Sequence, residues 1–227
     1  MYKLVIVRHG ESLWNKENIF TGWTDIGLSD FGKEQAKQAG IILKKEGYVF
    51  DLAFTSVLSR AIETLNIILK EMVLDIPIEK SWQLNERHYG ALQGMNKDEI
   101  RNKFGEEKFK QWRRSYDIQP LALTKEDERY PGNDERYNQL GEINWPLTES
   151  LKDTEERVMP YWNKVIKPKI LDNQKIIVCA HGNSIRALVK NIEKVSNEEI
   201  PNVEIPLGQP LVYEFDDDFN LVSKFYL

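Results

Sequence analysis

Cysteine is almost absent from the sequence, and histidine is scarce. The 227 residues include one cysteine, Cys179, and three histidines. A single cysteine excludes an intramolecular disulfide and any metal centre that needs several thiolates. Because histidine is so rare here, the position of each one is informative about function.

Signatures of metal- and nucleotide-dependent enzymes are also missing. The sequence contains no HExxH motif, no CxxC pair and no GxxxxGK[ST] loop, which are common patterns of zinc, thiol and nucleoside-triphosphate chemistry. We therefore predict no metal, and the charge neutralisation that a metal would supply has to come from side chains.

Long apolar runs and a strong charge of one sign are lacking as well. No run approaches the roughly 18 apolar residues of a membrane span, and the first one, residues 4–7, is too short for a signal peptide. The 31 basic and 36 acidic residues give a formal net charge of −5, which offers no general attraction to nucleic acid or to an anionic membrane. We expect a cytoplasmic protein that binds neither.

The apolar segments that are present predict an α/β fold. Continuous β-branched runs alternate with amphipathic segments, which favours a three-layer α/β/α sandwich with a mostly parallel central sheet and one antiparallel edge strand. Strands are predicted at 2–7, 50–56, 76–84, 175–182, 211–215 and 221–227, and helices at 27–48, from residue 59, and at 96–105, 106–116, 149–171 and 183–195.

Residues 86–146 interrupt this alternation. The segment is rich in charged residues, Trp, Tyr and Pro, and after two short predicted helices it continues as a long irregular stretch. Irregular loops of this length inside a compact domain are usually functional. We predict a single domain, 1–227, in which 86–146 is an active-site insertion over the C-terminal edge of the sheet.

Two of the predicted strands end in the same way. "LVIVRHG" ends in His9 and Gly10, and "IIVCAHG" ends in His181 and Gly182. Composition alone predicts about 0.2 His-Gly pairs, whereas two occur. Ligands of open α/β sheets bind at the carboxyl ends of the strands, so we expect both histidines to face one crevice. The glycines would let an anion approach backbone N–H groups, including those of the helix that follows Gly182.

Cationic residues are the expected neighbours of these histidines. Guanidinium groups bind phosphate through two hydrogen bonds and keep their charge, and neutral imidazole is a nucleophile at pH 7. The pattern predicts a phosphohistidine at His9, charge stabilisation by His181, and proton transfer by Glu86. Taken singly, each of these residues is also compatible with an ordinary core or surface role. The cations concerned are Arg8, Arg60, Lys97, Arg113 and Arg114.

Motifs along almost the whole chain resemble one known family. "RHGESLWN", "FTGWTD", "TSVLSRAIET", "LNERHYGALQGMNK", "QWRRSYD" and "AHGNSIRALVK" resemble the cofactor-dependent phosphoglycerate mutases of the histidine phosphatase superfamily. The RHG motif is shared by many phosphatases, whereas "LNERHYG" and "QWRR" are more specific to mutases. The resemblance implies glycolytic and gluconeogenic interconversion of 3-phosphoglycerate and 2-phosphoglycerate, through a phosphohistidine primed by 2,3-bisphosphoglycerate.

The resemblance also implies a role for particular residues. His9 resembles the phosphorylated nucleophile, Glu86 the general acid and base, and His181 the transition-state histidine, with Arg8 and Arg60 beside them. It further implies a three-layer α/β/α fold and assembly as a homodimer or homotetramer. The family's substrate- and phosphate-binding positions are matched by Ser12, Asn15, Thr21, Gly22, Arg87, His88, Tyr89, Lys97, Arg113, Arg114, Gly182 and Asn183.

Other functions are compatible with the same residues. A phosphatase acting on bisphosphoglycerate or on phosphomonoesters in general would use the same histidine and needs only water. Bisphosphoglycerate synthesis and non-catalytic binding of a phosphorylated ligand are further alternatives. The basic cluster favours the mutase, since a substrate with a carboxylate and a phosphate needs more cations than a single phosphate does.

Overall fold

One mixed sheet organises the chain. The computed structural model describes residues 1–140 and 143–227. The strands are β1 (Tyr2–Arg8), β2 (Leu52–Thr55), β3 (Ile78–Lys80), β4 (Ile176–Ala180), β5 (Pro210–Phe215) and β6 (Leu221–Tyr226). Their order is β3-β2-β4-β1-β5-β6. The first four strands run parallel, β5 is antiparallel to β1, and β6 is antiparallel to β5. The predicted fold class is confirmed, and its antiparallel part is the edge pair β5–β6.

The two strands that end in His-Gly are direct neighbours. In the parallel β1–β4 pair, Leu4 lies opposite Ile176 and Arg8 opposite Ala180. One residue further along, the His9 N–H donates to the Ala180 carbonyl oxygen at 3.0 Å. The two histidines therefore leave the same edge of the sheet side by side, as the sequence predicts.

Helices cover both faces of the sheet, which explains why its central strands are continuously apolar. Helices α2 and α3 pack on one face, and α6, α7 and α8 on the other. Ser29, Asn96 and Ser150 cap α2, α4 and α6 by accepting backbone N–H hydrogen bonds. The helices are α1 (Leu13–Lys16), α2 (Asp30–Lys45), α3 (Ser59–Met72), α4 (Lys97–Phe104), α5 (Glu106–Arg114), α6 (Leu151–Tyr161), α7 (Lys167–Leu171) and α8 (Gly182–Glu193).

Three local features differ from the predictions. The strand expected at 76–84 has only three residues, because Ser81 caps a 3₁₀ turn at Trp82–Leu84. Helix α1 was not predicted, and its start is set by a reciprocal capping box between Ser12 and Asn15. The helix predicted at 149–171 continues past Pro160 through a π-helical turn at Trp162–Ile166.

The 86–146 segment packs on the rest of the chain through two aromatic clusters. Phe20 anchors α4 and α5 together with Phe109 and Trp112, and Trp23 anchors the irregular part together with Tyr137. These contacts hold the segment at the carboxyl ends of the strands, where we expected it. The assignment of 1–227 to a single domain stays a prediction. None of the described helices has the length and apolar character that crossing a membrane requires.

Candidate active site

A crevice opens at the carboxyl end of β1, between the sheet and the 86–146 segment. It unites ten of the seventeen predicted site residues from six separate parts of the chain. Its lining consists of Arg8, His9, Asn15, Ile19, Phe20, Thr21, Gly22, Arg60, Glu86, Tyr89, Lys97 and Arg113.

His9 is held with one ring nitrogen free. Its Nδ1 lies 2.7 Å from the Gly10 carbonyl oxygen, and since a carbonyl only accepts, Nδ1 carries the hydrogen and Nε2 keeps its lone pair. Burial, followed by the charges of Arg60 and Arg8, lowers the pKa of His9 well below its ordinary value. The imidazole is therefore neutral at pH 7 and presents Nε2 as a nucleophile.

His181 lies beside His9, beneath the lining of the crevice. The two ring centroids are 4.9 Å apart, and the His181 Nε2 is 2.7 Å from the Ser56 hydroxyl oxygen. Burial, the charge of Arg60 and the proximity of His9 lower the pKa of His181. When Ser56 donates to Nε2, the hydrogen of the neutral ring is on Nδ1, a buried atom with no partner among the described residues. This N–H can stabilise negative charge near His9.

Glu86 has one oxygen anchored and one free. Its Oε1 accepts from the Arg87 N–H at 2.8 Å, and from the N–H and side-chain amide of Asn183 at 3.1 and 2.8 Å. Burial raises the pKa of Glu86, but the Arg8 charge and these hydrogen bonds together lower it below its ordinary value. Oε2 makes no hydrogen bond within the described residues and is the oxygen that can carry a proton.

Positive charge predominates in the crevice. Arg8, Arg60, Lys97 and Arg113 line it, and Glu86 is the one carboxylate among the described lining residues. Arg60 is anchored by the carbonyl oxygens of Gly22 and Thr24, and burial lowers its pKa to about 10, so it stays charged at pH 7. None of the four cations forms an ion pair with a described carboxylate, which leaves a formal excess of three positive charges for a ligand.

Two of the backbone N–H groups that we expected to face an anion, those of Gly10 and Asn183, donate to side chains of the protein instead. The Gly10 N–H donates to Thr64 Oγ1, and a Cβ at Gly10 would lie 2.2 Å from the Gly32 carbonyl oxygen, so close packing on α2 requires this glycine. The Asn183 N–H at the start of α8 is taken by Glu86, because a carboxylate is the strongest available acceptor for a helix N-terminal N–H group.

The remaining predicted residues lie behind or beside the lining. Arg87 donates to the Tyr89 hydroxyl at 3.1 Å and to the Arg113 carbonyl oxygen at 2.7 Å, so it supports two lining residues. Burial lowers the pKa of His88 to about 3, and its Nδ1 accepts from the Gly90 N–H.

Three more predicted residues contact other parts of the protein. Ser12 caps α1, Gly182 adjoins the Arg8 guanidinium, and Arg114 pairs with Glu204 at 2.8 Å. The substrate contacts of these three residues, and those of Arg87 and His88, stay predictions.

Sequence reasoning missed Ser56. Its hydroxyl is fully buried and touches His181, yet in the sequence it is an ordinary serine at the end of β2. The only available signal was its place at the carboxyl end of a strand, the same edge that carries both histidines.

One family model covers almost the whole chain. The model of the histidine phosphatase superfamily (branch 1) matches residues 4–226. The chain belongs to this superfamily. Membership indicates a phosphoryl-transfer enzyme, and the assignment of the paired histidines and the surrounding arginines as its site stays a prediction.

Solved structures with the same fold include named phosphatases. A mycobacterial glucosyl-3-phosphoglycerate phosphatase in complex with VO3 is 21% identical, with a TM-score of 0.74, covering 100% of this chain and 97% of that one. A putative α-ribazole-5′-phosphate phosphatase from Escherichia coli is 18% identical, with a TM-score of 0.72 and coverages of 100% and 94%. YhfR from Bacillus stearothermophilus is 21% identical, with a TM-score of 0.73 and coverages of 97% and 94%. At these identities the likeness concerns the fold.

Proposed function

We propose that this superfamily member interconverts 2-phosphoglycerate and 3-phosphoglycerate through a phosphohistidine at His9, primed by 2,3-bisphosphoglycerate. The observation that carries the proposal is the charge balance of the crevice, in which four cations face one carboxylate. A phosphomonoester brings almost two negative charges near pH 7, and a carboxylate brings a third. A phosphorylated small acid therefore matches the excess of three positive charges better than a simple phosphomonoester.

The two ends of such a substrate would bind to different cations. Arg60 and Arg8 are the charges that act on His9, so the transferring phosphoryl group binds between them. Lys97 and Arg113 come from the 86–146 segment, and burial, followed by the charge of the nearby Arg113, lowers the pKa of Lys97. We assign the carboxylate to this second pair, which keeps the bisphosphate in place between the two transfers.

The reaction then uses the free atoms of the site. His9 Nε2 attacks phosphorus and the bond to the leaving oxygen breaks, while Arg8, Arg60 and His181 share the charge on the phosphoryl oxygens. Glu86 takes up a proton from solvent when the substrate dianion binds, because the dianion offsets the arginine charges that lower the pKa of Glu86 in the free protein. Oε2 then gives this proton to the leaving oxygen. When 2,3-bisphosphoglycerate has primed His9 in this way, Glu86 takes the proton from the free hydroxyl of a bound monophosphoglycerate, which attacks the phosphohistidine and regenerates the bisphosphate. Transfer of its other phosphoryl group to His9 then releases the isomer.

Hydrolysis is the second candidate, and the comparisons favour it. Two of the three structures described above are named as phosphatases. Water in place of the second hydroxyl would be activated by Glu86 in the same position, so the chemistry at His9 is identical for both functions. Only the retention of the small acid separates a mutase from a phosphatase.

A paired assay tests the proposal. Formation of 2-phosphoglycerate from 3-phosphoglycerate and release of inorganic phosphate are measured side by side, with and without 2,3-bisphosphoglycerate, and with His9→Ala as the control. Bisphosphate-dependent isomerisation with little phosphate release supports the mutase. Phosphate release without isomerisation contradicts it and supports the phosphatase. For either reaction, Glu86→Gln should lower turnover by about 10²–10⁴ while vanadate binding is retained.

A further inference from the structure

A buried ion pair lies directly behind Glu86. Arg157 in α6 and Glu149 just before α6 are 9% and 2% exposed. Arg157 Nε donates to Glu149 Oε1 at 2.6 Å, and Nη2 donates to Oε2 at 2.9 Å. Neither residue lines the crevice, and neither was predicted to take part in function.

The guanidinium of this pair binds the backbone that carries Glu86. Arg157 Nη1 donates to the carbonyl oxygen of Gln83 at 2.7 Å, and both Nη atoms lie 3.1 Å from the carbonyl oxygen of Asn85. Nη2 also donates to the carbonyl oxygen of Glu86 at 2.8 Å. All five N–H groups of the side chain are thereby used.

The carboxylate of the pair binds the same segment from its other end. Glu149 Oε2 accepts from the His88 N–H at 2.8 Å, and the Glu149 N–H donates to the His88 carbonyl oxygen at 2.8 Å. Trp23 Nε1 adds a further donor to the carbonyl oxygen of Glu86 at 2.5 Å. The backbone is therefore held on both sides of Glu86.

These contacts matter because residues 85–89 form neither helix nor strand. A buried irregular backbone has no regular hydrogen-bond partners of its own, so other groups have to satisfy it. Arginine provides five donors in a rigid fork, whereas lysine provides three donors from one point. The position of the Glu86 backbone, and with it the direction of Oε2, depends on the Arg157 fork.

We propose that Arg157 and Glu149 are positioning residues that aim Glu86 Oε2 at the leaving oxygen of the substrate. The inference rests on the proposed role of Glu86 in proton transfer. It applies equally to a mutase and to a phosphatase, because both have to protonate an alkoxide when the bond between phosphorus and an alkyl oxygen breaks and the bond to His9 Nε2 forms.

The leaving group distinguishes positioning from general structural support. p-Nitrophenolate leaves as a stable anion without taking a proton, whereas the alkoxide of an alkyl phosphomonoester takes one from Glu86. Arg157→Lys should therefore lower turnover of 3-phosphoglycerate or of another alkyl phosphomonoester about 10²-fold. The burst of p-nitrophenolate, which reports only the transfer from p-nitrophenyl phosphate to His9, should slow by less than about threefold, since this step needs no proton from Glu86. Equal losses on both substrates, or no loss on the alkyl ester, would overturn the proposal.

A second variant and a second readout keep the test decisive if Arg157→Lys folds poorly. Glu149→Gln preserves the shape of the side chain and removes its charge, and the same selective loss is expected. Carbon-13 NMR of labelled glutamate, assigned with Glu86→Gln, should show the pKa of Glu86 rising in both variants as the contacts to Oε1 loosen. An unchanged pKa in a folded variant would refute the positioning role.

Lys190→Met is the matched control. Lys190 in α8 pairs with Glu155 in α6 at 3.3 Å and does not contact residues 83–88, so neither the ratio of the two activities nor the pKa of Glu86 should change.

Failure of the proposed mutase function would be recognised separately from failure of the positioning role. Wild-type protein that hydrolyses alkyl phosphomonoesters but forms no 2-phosphoglycerate would refute the mutase, and the comparison of alkyl and aryl esters would still decide the role of Arg157.

Discussion

Lys97→Met is the sharpest test of how the crevice recognises its ligand. Lys97 is the first residue of α4, where Asn96 caps the helix. A positive charge is unfavourable at a helix N-terminus, so this lysine does not serve the stability of α4. Methionine keeps the unbranched chain and good helix propensity. The variant should therefore be as thermally stable as the wild type or slightly more so, and any loss of binding has to come from the missing charge.

The size of that loss follows from the placement of Lys97. Two unit charges about 4–5 Å apart attract by roughly 3–4 kcal/mol at an effective dielectric constant of about 20. Lys97 is only partly buried, so solvent screening reduces this to about 2 kcal/mol, or roughly 30-fold in Kd. A ligand without a carboxylate would lose only a residual long-range attraction, which we expect to be below about threefold.

Calorimetric titration of 3-phosphoglycerate and of glycerol 3-phosphate measures both losses. The two ligands carry the same phosphate, and only the first has a carboxylate. Lys108→Met is the control, because it removes one positive charge from an exposed position on the neighbouring α5. Equal weakening of both ligands, or the same effect in the control, would refute the assignment of the carboxylate to Lys97 and Arg113.

Three further predictions concern the histidines. Nitrogen-15 NMR should show that His9 is neutral at pH 6 and carries its hydrogen on Nδ1. After incubation with 2,3-bisphosphoglycerate, ³¹P spectra should show the phosphoryl group on Nε2 of His9. Phosphorylation at Nδ1 would contradict the contact of Nδ1 with Gly10. Ser56→Ala should slow phosphorylation of His9 about tenfold or more, because the Nδ1–H of His181 loses its orientation, with Ser59→Ala as the unaffected control in a rapid-quench measurement. His88→Gln should make the stability of the protein less sensitive to acid. The pKa of His88 is about 3 in the native protein and about 6.5 in the unfolded chain, so the unfolded chain binds the proton first as the pH falls. The wild type therefore loses about 2 kcal/mol of stability at this residue between pH 7 and pH 5, and the variant does not. Urea unfolding at the two pH values checks this, and equal losses in variant and wild type would refute it.

Features that depend on local sequence were predictable. The apolar runs of β1 and β4 identify buried strands, and Ser29 and Asn96 mark helix starts through their own side chains. The repeated His-Gly ending indicated a shared crevice because parallel neighbouring strands end at one edge. Ten of the predicted site residues do line that crevice.

Features that depend on distant contacts were not predictable in the same way. Glu86 accepts from the N–H at the start of α8, and Thr64 accepts from the Gly10 N–H. To predict either hydrogen bond, one has to know which acceptor lies nearest in space. Ser56 and Arg157 carry no local signal, since a serine after a strand and an arginine in a helix are ordinary. The partner of Ser56 is 125 residues away along the chain. The backbone partners of Arg157 are 71 to 74 residues away.

The sequence by itself determined most of the elements, the two histidines at strand ends and the positively charged character of the site, because these follow from residue type and short-range periodicity. The tertiary structure decided which atoms are free to react. In the folded chain His9 Nδ1 is hydrogen-bonded and Nε2 is free. Likewise, Glu86 Oε1 accepts hydrogen bonds and Oε2 is free. The physical reason is that most buried polar atoms hydrogen-bond to a group that the fold brings within reach, and only the folded chain determines which atoms find such a partner and which stay free.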